Sequence, residues 1–282
     1  MKCIFSVDVE DWFHILDIPG APAMSEWGTM PSRVEGNFMR LLQILDEHQA
    51  RATCFVLGWI AERFPGIVKE AAARGHEIAS HGYSHRLAYE MTRAEFREDA
   101  AKAKALLEDL VGQAVIGYRS AGFSVTEKTP WFFDALMETG HRYDSSVFPA
   151  PRGHGGMKTA RVAPHVVDLE SGRIIEFPIT VKSVLGKPVC FFGGGYLRLF
   201  PYCVIRKMAR SVLKEGRPVV FYVHPRDIDP DQPRLAMGLK RRFKSYVNLS
   251  TTAPKINRIL DDFDVGTFAE FIALNRNLLE GA

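Results

Sequence analysis

His81 and His85 stand four residues apart in SHGYSH, directly after an apolar run. On one helical turn their Cβ atoms would lie about 5–6 Å apart, and two imidazoles so placed suit one divalent ion, whose Zn–N bonds are about 2.0–2.1 Å. Three acids, Asp8, Glu10 and Asp11, cluster where another apolar run stops. Burying several carboxylates at a strand end is costly unless a cation or hydrogen-bond donors compensate. Two histidines and one carboxylate leave positions on a metal for water and substrate, the pattern of catalytic rather than structural sites. His224 follows the apolar run PVVFYV, and Arg119 ends VIGYR. Taken singly, each has an ordinary alternative. HxxxH fits surface or capping histidines, the acids fit a solvated turn, His224 fits a hydrogen-bonded core residue, and Arg119 fits a surface ion pair.

Residues more than two hundred positions apart act together only if a scaffold gathers them. Short β-like runs at 2–7, 52–56, 77–80, 115–118, 173–177 and 218–223 alternate with helical stretches. Phe38, Leu41, Leu42 and Leu45 form the apolar stripe of a helix over 37–47. A second helical stretch runs over 60–74 and stops at Gly75. Thr92 with Glu95 makes a capping box for a long helix to about Leu110. Further helices are expected at 130–139, 206–214, 253–263 and 267–277. Residues 150–166 and 185–203 read as irregular loops. Repeated strand–helix alternation implies a mostly parallel sheet with helices outside. At this length we expect an α/β chain folded as a distorted (β/α) barrel with fewer than eight strands. It would form one domain over 1–282, with a core of about 1–226 and an extension of about 227–282 packed on it. Asp8, His81, Arg119 and His224 all fall where strands end, and in a parallel barrel those ends share one mouth.

The ordered set resembles the polysaccharide deacetylase family, the NodB-homology group of carbohydrate esterases. SVDVEDW is similar to its first-strand acid motif, SHGYSH to its HxxxH motif, YRSAGF to its Arg motif and FYVH to its late histidine. DVEDW and HPRDIDPDQPR further resemble a bacterial subgroup, cytoplasmic in character, with a C-terminal extension. The resemblance runs from about residue 4 to 226. It implies Asp8 as general base, His81 and His85 as metal ligands, Arg119 as the partner holding Asp8, and His224 as general acid. Two departures stand out. The family commonly has adjacent aspartates, the second ligating the metal, and here Val9 takes that place. The carboxylate ligand then shifts to Glu10, which strand alternation puts on the side of Asp8, with Asp11 the alternative. Ala121 stands where the Arg motif usually has proline. The resemblance also implies hydrolysis of the acetamide of an N-acetylated sugar, on a polysaccharide or lipid-linked intermediate of biosynthesis. A metal-dependent amidohydrolase acting on a small amide or ureide, and an inactive carbohydrate-binding protein, are the alternatives. Zinc is the first expectation for the metal, with cobalt, nickel and iron also suited to two histidines and a carboxylate. Trp12, Phe13, Tyr83 and Tyr196 are candidate stacking surfaces for sugar rings, Asp144 a candidate support for the site, His14 a rim contact, and His76 an exposed residue.

Composition narrows the partners. The 282 residues carry a net charge of +3, too mild a balance to point to nucleic acid. The densest basic run is Lys240, Arg241, Arg242 and Lys244. It reads as a solvated helix face, or as a contact for an anionic glycan or membrane surface. Cys3, Cys54, Cys190 and Cys203 form no CxxC pair. No apolar run is long enough to span a bilayer. With no signal-like stretch before Asp8, the cytoplasm is the expected location.

Overall fold

The computed structural model describes residues 2–16, 18–151 and 155–275. The first half of the chain runs β1 (Cys3–Val9), α1 (Val34–Glu47), β2 (Thr53–Val56), α2 (Gly58–Arg63), α3 (Pro65–Ala73), β3 (Glu77–Ser80), α4 (Arg93–Val111), β4 (Gly117–Tyr118), α5 (Phe132–Glu138) and β5 (Tyr143–Asp144). The second half adds β6 (His165–Leu169), β7 (Gly172–Glu176), β8 (Val181–Val184), β9 (Lys187–Cys190), α6 (Gly194–Leu199), α7 (Tyr202–Lys214), β10 (Val220–Val223), α8 (Leu239–Tyr246), α9 (Thr252–Asp262), β11 (Val265–Gly266) and α10 (Phe268–Leu274).

The main sheet has the order β10-β1-β2-β3-β4-β5-β7-β6, with β11 also paired to β1. The seven neighbours from β10 to β7 are all parallel, and β6 alone is antiparallel. Helices cover the outer face. Phe38, Leu41 and Leu42 of α1 pack with Val7 and Val9 of β1 and with Leu107 of α4 in the largest apolar cluster. The sheet curls rather than lying open. Phe268, at the start of α10, touches rings from across it: Phe55 of β2 at 5.6 Å, Tyr143 of β5 at 5.3 Å and Phe177 after β7 at 5.0 Å between centroids. At the seam, the Val220 amide donates to the Thr180 hydroxyl at 2.9 Å. The expected distorted α/β barrel is the observed architecture, but its sheet counts nine strands among the described residues, eight of them parallel, where fewer than eight were expected, and the chain after residue 226 enters it through β11 and α10.

Several local expectations change. The helical stretch at 60–74 is two helices that meet at Phe64, because Pro65 has no amide to continue the first and instead opens the second. His76 is buried rather than exposed, its Nδ1 accepting from the Ala52 amide at 3.2 Å. Residues 185–203 are not one long loop. Leu185 and Gly186, at φ of 50° and 76°, form the turn of the β8–β9 hairpin, and Gly194 opens α6. Gly193 and Gly194 are needed for close approach: a Cβ at either would collide with Tyr222 or with the Asp227 carboxylate. The last expected helix ends at Leu274; positions 276–277 of that expectation lie outside the described residues.

Candidate active site

The first strand delivers two carboxylates to one side and one to the other, as its two-residue period requires. Asp8 and Glu10 face the mouth of the barrel. Asp11 turns outward and caps α1: its carboxylate accepts from the Ser32 hydroxyl at 2.5 Å and from the Arg33 and Val34 amides at 3.1 and 3.3 Å. With its oxygens committed to a helix terminus, Asp11 does not face the imidazoles, and the Glu10 carboxylate does.

Glu10 Oε1 sits 3.6 Å from His81 Nε2, 3.5 Å from His85 Nε2 and 3.4 Å from His224 Nε2. Burial works against the Glu10 charge, yet the surrounding His85, His224 and His81 imidazoles outweigh it and hold its carboxyl well below the usual range. His81 Nδ1 lies 2.7 Å from the Arg119 carbonyl. A carbonyl only accepts, so Nδ1 carries a proton and Nε2 is the ring atom turned inward to Glu10. The Nε2 atoms of His81 and His85 are buried and have no hydrogen-bond partner. Orphaned nitrogens facing a carboxylate oxygen fit a divalent ion held by Glu10, His81 and His85.

The loop that carries the two histidines is not a helical turn. Residues 81–87 are irregular, and His85 has φ of 56°, in the left-handed region. That conformation costs energy in a non-glycine residue and marks a constrained site. Asp99 of α4 holds the loop, accepting from the Tyr83 amide at 2.7 Å and the Ser84 amide at 3.0 Å.

Arg119 leaves β4 fully buried. Its guanidinium donates to Asp8 at 2.6 Å, to the Ser6 hydroxyl at 2.9 Å, and to the Ser145 carbonyl and hydroxyl at 3.1 Å each. Asp8 is thus fixed in place by a forked cation with no freedom of its own. His224 follows β10, and its Nδ1 donates to Asp227 at 2.9 Å. Asp227 in turn pairs with the buried Arg198. His224 Nε2 lies 3.9 Å from Asp8. Burial pushes the His224 ring down to about 4 despite the Glu10 carboxylate beside it, so the ring is neutral at neutral pH.

A cavity of about 850 Å³ opens over these residues, and its lining includes Asp8, Glu10, His85, His224, Tyr196 and Phe243. Of the aromatic candidates, Tyr196 lines it. Trp12 does not: it is core, its Nε1 donating to the Pro31 carbonyl. Phe13 packs edge-on against Trp59 inside the same core. Tyr83 points away, its hydroxyl on Glu62 and its ring under the Lys102 ammonium. Asp144 supports the site at one remove, binding Ser146, whose hydroxyl accepts from the Ser120 amide. His14 is buried rather than on the rim. Its Nδ1 accepts from the Asp11 amide, which leaves a buried Nε2–H without a partner at the cavity wall. Asp99, Asp227, Arg198 and Ser145 were not singled out in the sequence. Only HPRDIDP, with a carboxylate three residues after His224, carries a local signal of one of them.

A parallel α/β barrel with imidazoles and carboxylates gathered at the strand ends defines the class. Residues 27–143 match the polysaccharide deacetylase family, and residues 145–273 match a domain of unknown function (DUF3473). The region from residue 27 to 143 is thus similar to the polysaccharide deacetylases. It is 40% identical over 75 residues to a peptidoglycan-N-acetylglucosamine deacetylase of Bacillus cereus, a match covering 27% of each chain. It is 32% identical over 108 residues to a peptidoglycan deacetylase of Helicobacter pylori, covering 38% of this chain and 36% of the relative. The matches thus span about a quarter to a third of these curated relatives. A crystal structure from Mycobacterium smegmatis assigned to the polysaccharide deacetylases superposes with a TM-score of 0.62 at 21% identity, over 98% of this chain and 90% of the other. Among the described residues, no helix is long and apolar enough to cross a membrane.

Proposed function

We propose that the protein is a metal-dependent hydrolase that removes the N-acetyl group from an N-acetylated sugar. The observation that carries this is the set of buried, unpartnered Nε2 atoms of His81 and His85 aimed at one oxygen of Glu10. Glu10, His81 and His85 would hold the ion, zinc first among the candidates. A bound divalent ion would polarise the acetamide carbonyl and make water acidic enough to attack near neutral pH. Asp8, held by Arg119, accepts the proton of the attacking water. His224 Nε2 delivers a proton to the departing nitrogen, which leaves as the amine while the acetyl group becomes acetate. Because the resting ring is neutral, it must first take up a proton, and the nearest donor once loaded is Asp8, 3.9 Å away. Asp227 fixes the ring with Nε2 facing the substrate.

The cavity favours a glycan over a small amide. About 850 Å³ with Tyr196 and Phe243 on its wall exceeds what a ureide fills. The intact set of base, ligands and acid argues against an inactive binder. Curated relatives named as acting on peptidoglycan and chitooligosaccharide support an N-acetylhexosamine substrate, and we place it in polysaccharide or glycolipid synthesis, on a free or lipid-linked chain. Four free cysteines accord with a reducing, cytoplasmic compartment. We further propose one catalytic domain, with residues 227–282 completing the wall of the cavity through α8. The test is acetate release from N-acetylated glycans by wild type and His81→Ala, with and without chelator, alongside the metal content of both. Activity that survives the substitution and the chelator would end the reading.

A further inference from the structure

One wall of the cavity is cationic in a way that the hydrolysis itself does not use. Arg226, Arg241 and Lys244 line it, joined by Arg198. Arg198 has a partner in Asp227. The other three have no carboxylate within ion-pair reach among the described residues. Nε and Nη1 of Arg226 and Nε of Arg241 are buried without any hydrogen-bond acceptor. Arg241 is tethered to the wall through Nη2, which donates to the Leu16 carbonyl at 2.7 Å. Guanidinium groups are almost always satisfied when buried, and a half-buried one with idle donors is costly. Burial pushes Arg226 down from its usual value, and the nearby Arg241 adds to this although Glu10 opposes it. Among the described residues, the carboxylates in the lining are Asp8 and Glu10, and both are committed, one to Arg119 and the other to the imidazoles. Cations gathered in a concave, partly dry wall raise the local concentration of anions and match oxyanions in planar, forked geometry. The basic run in the 240s therefore divides. Arg241, part-buried, and Lys244, exposed at the lip, line the cavity, while Lys240 and Arg242 are exposed outside its lining.

We propose that Arg226, Arg241 and Lys244 form an oxyanion subsite, so that the substrate is an N-acetylated sugar carrying a phosphate or carboxylate group next to the residue deacetylated. This rests on the deacetylase reading and sharpens its substrate class. Two sources share that chemistry: the phosphate of an activated or lipid-linked sugar, and the carboxylate of a neighbouring uronic acid.

The test measures binding to the metal-loaded full chain by calorimetry at fixed ionic strength. Three probes are compared: the methyl glycoside of N-acetylglucosamine, its anomeric phosphate, and the disaccharide of glucuronate with N-acetylglucosamine. At least one acidic sugar should bind about tenfold or more tightly than the neutral one, the worth of one or two charge-assisted hydrogen bonds. Whichever acidic sugar shows the preference names the anion. The preference should collapse towards unity in Arg226→Gln/Arg241→Gln and persist in Arg242→Gln, which removes the same charge from the exposed face. Arg241→Gln alone, at a less buried position, should lower it by an intermediate factor and covers the case in which the double variant misfolds. Equal affinity for all three probes overturns the proposal. So does a preference that survives in the Gln variants, since it would then come from the metal. A charge preference without acetate release from any probe would instead remove the deacetylase reading and leave the subsite standing.

Discussion

The pair Asp8–Arg119 offers a quantitative test of how the site is built. Both side chains are out of water, at 3% and 0% exposure, with 2.6 Å between donor and acceptor. With charge centres roughly 4 Å apart and an effective dielectric of about 20, their attraction is about 4 kcal/mol. Arg119→Met removes the cation and keeps much of its length, but strands a buried carboxylate and frees Ser6 and Ser145. Breaking such a pair from one side costs about 3–5 kcal/mol. Asp8→Asn removes the opposite charge. In the Asn background, Arg119→Met should cost about 2–3 kcal/mol less than in the wild type, and that difference is the coupling between the two. Urea unfolding of the four proteins, each stripped of metal, measures it. A coupling below about 0.5 kcal/mol would mean that the pair is held apart by water or motion, and the claim that Arg119 fixes Asp8 would fail.

The other expectations concern the ligands and their supports. Glu10→Gln should lower metal affinity by at least the roughly 10–100-fold seen for outer supports of metal sites, whereas Asp11→Ala should leave metal content unchanged and cost about 0.5–2 kcal/mol of stability through the lost α1 cap. The reverse result would make Asp11 the ligand. Asp99→Ala leaves the ligands in place but frees the Tyr83 and Ser84 amides, so metal affinity should drop about 10–100-fold while far-UV circular dichroism is retained. An unchanged affinity would show that the loop holds itself. Burial first, then the adjacent Asp144, raise the Glu176 carboxyl well above its usual value. An acid whose folded value is raised binds its proton more tightly in the native state. Its stabilisation is therefore full below the ordinary carboxyl range and is lost as pH rises through the raised value. Glu176→Gln should flatten that decline in urea midpoints, and an unaltered pH slope would exclude Glu176 as its origin.

How much of this could be read from the chain follows from the range of each interaction. Strands of near-continuous apolar sequence declare themselves, so β1, β2, β3 and β10 fell where expected, and with them the strand ends that carry Asp8, His81, Arg119 and His224. That Glu10 rather than Asp11 shares the side of Asp8 followed from side-chain alternation, which is a property of a single strand. What stayed hidden depends on partners far along the chain. Asp99 lies 16 residues from Tyr83, on a helix read from its capping box. Ser145 and Arg198 meet the site only because β5 and α6 are folded against it. The β8–β9 hairpin is half exposed and short on apolar alternation, so nothing marked it. Trp12 and Tyr83 show the opposite error, since an aromatic beside a functional motif has no local feature that says whether it faces ligand or core.

Arg119 joins what the sequence separates into two motifs. Its carbonyl accepts the Nδ1 proton of His81, which orients the ring with Nε2 towards Glu10. Its guanidinium holds the carboxylate that would take a proton from water. The first contact belongs to the backbone and survives any side-chain change that preserves β4; the second depends on the five-donor fork, which no other side chain reproduces. The orientation of His81 and the position of Asp8 are therefore controlled by the same residue through different atoms. On the proposed reading, a site built this way would lose proton transfer while still binding a metal, and the buried hydroxyls of Ser6 and Ser145, which complete the fork, are what make the second contact exacting.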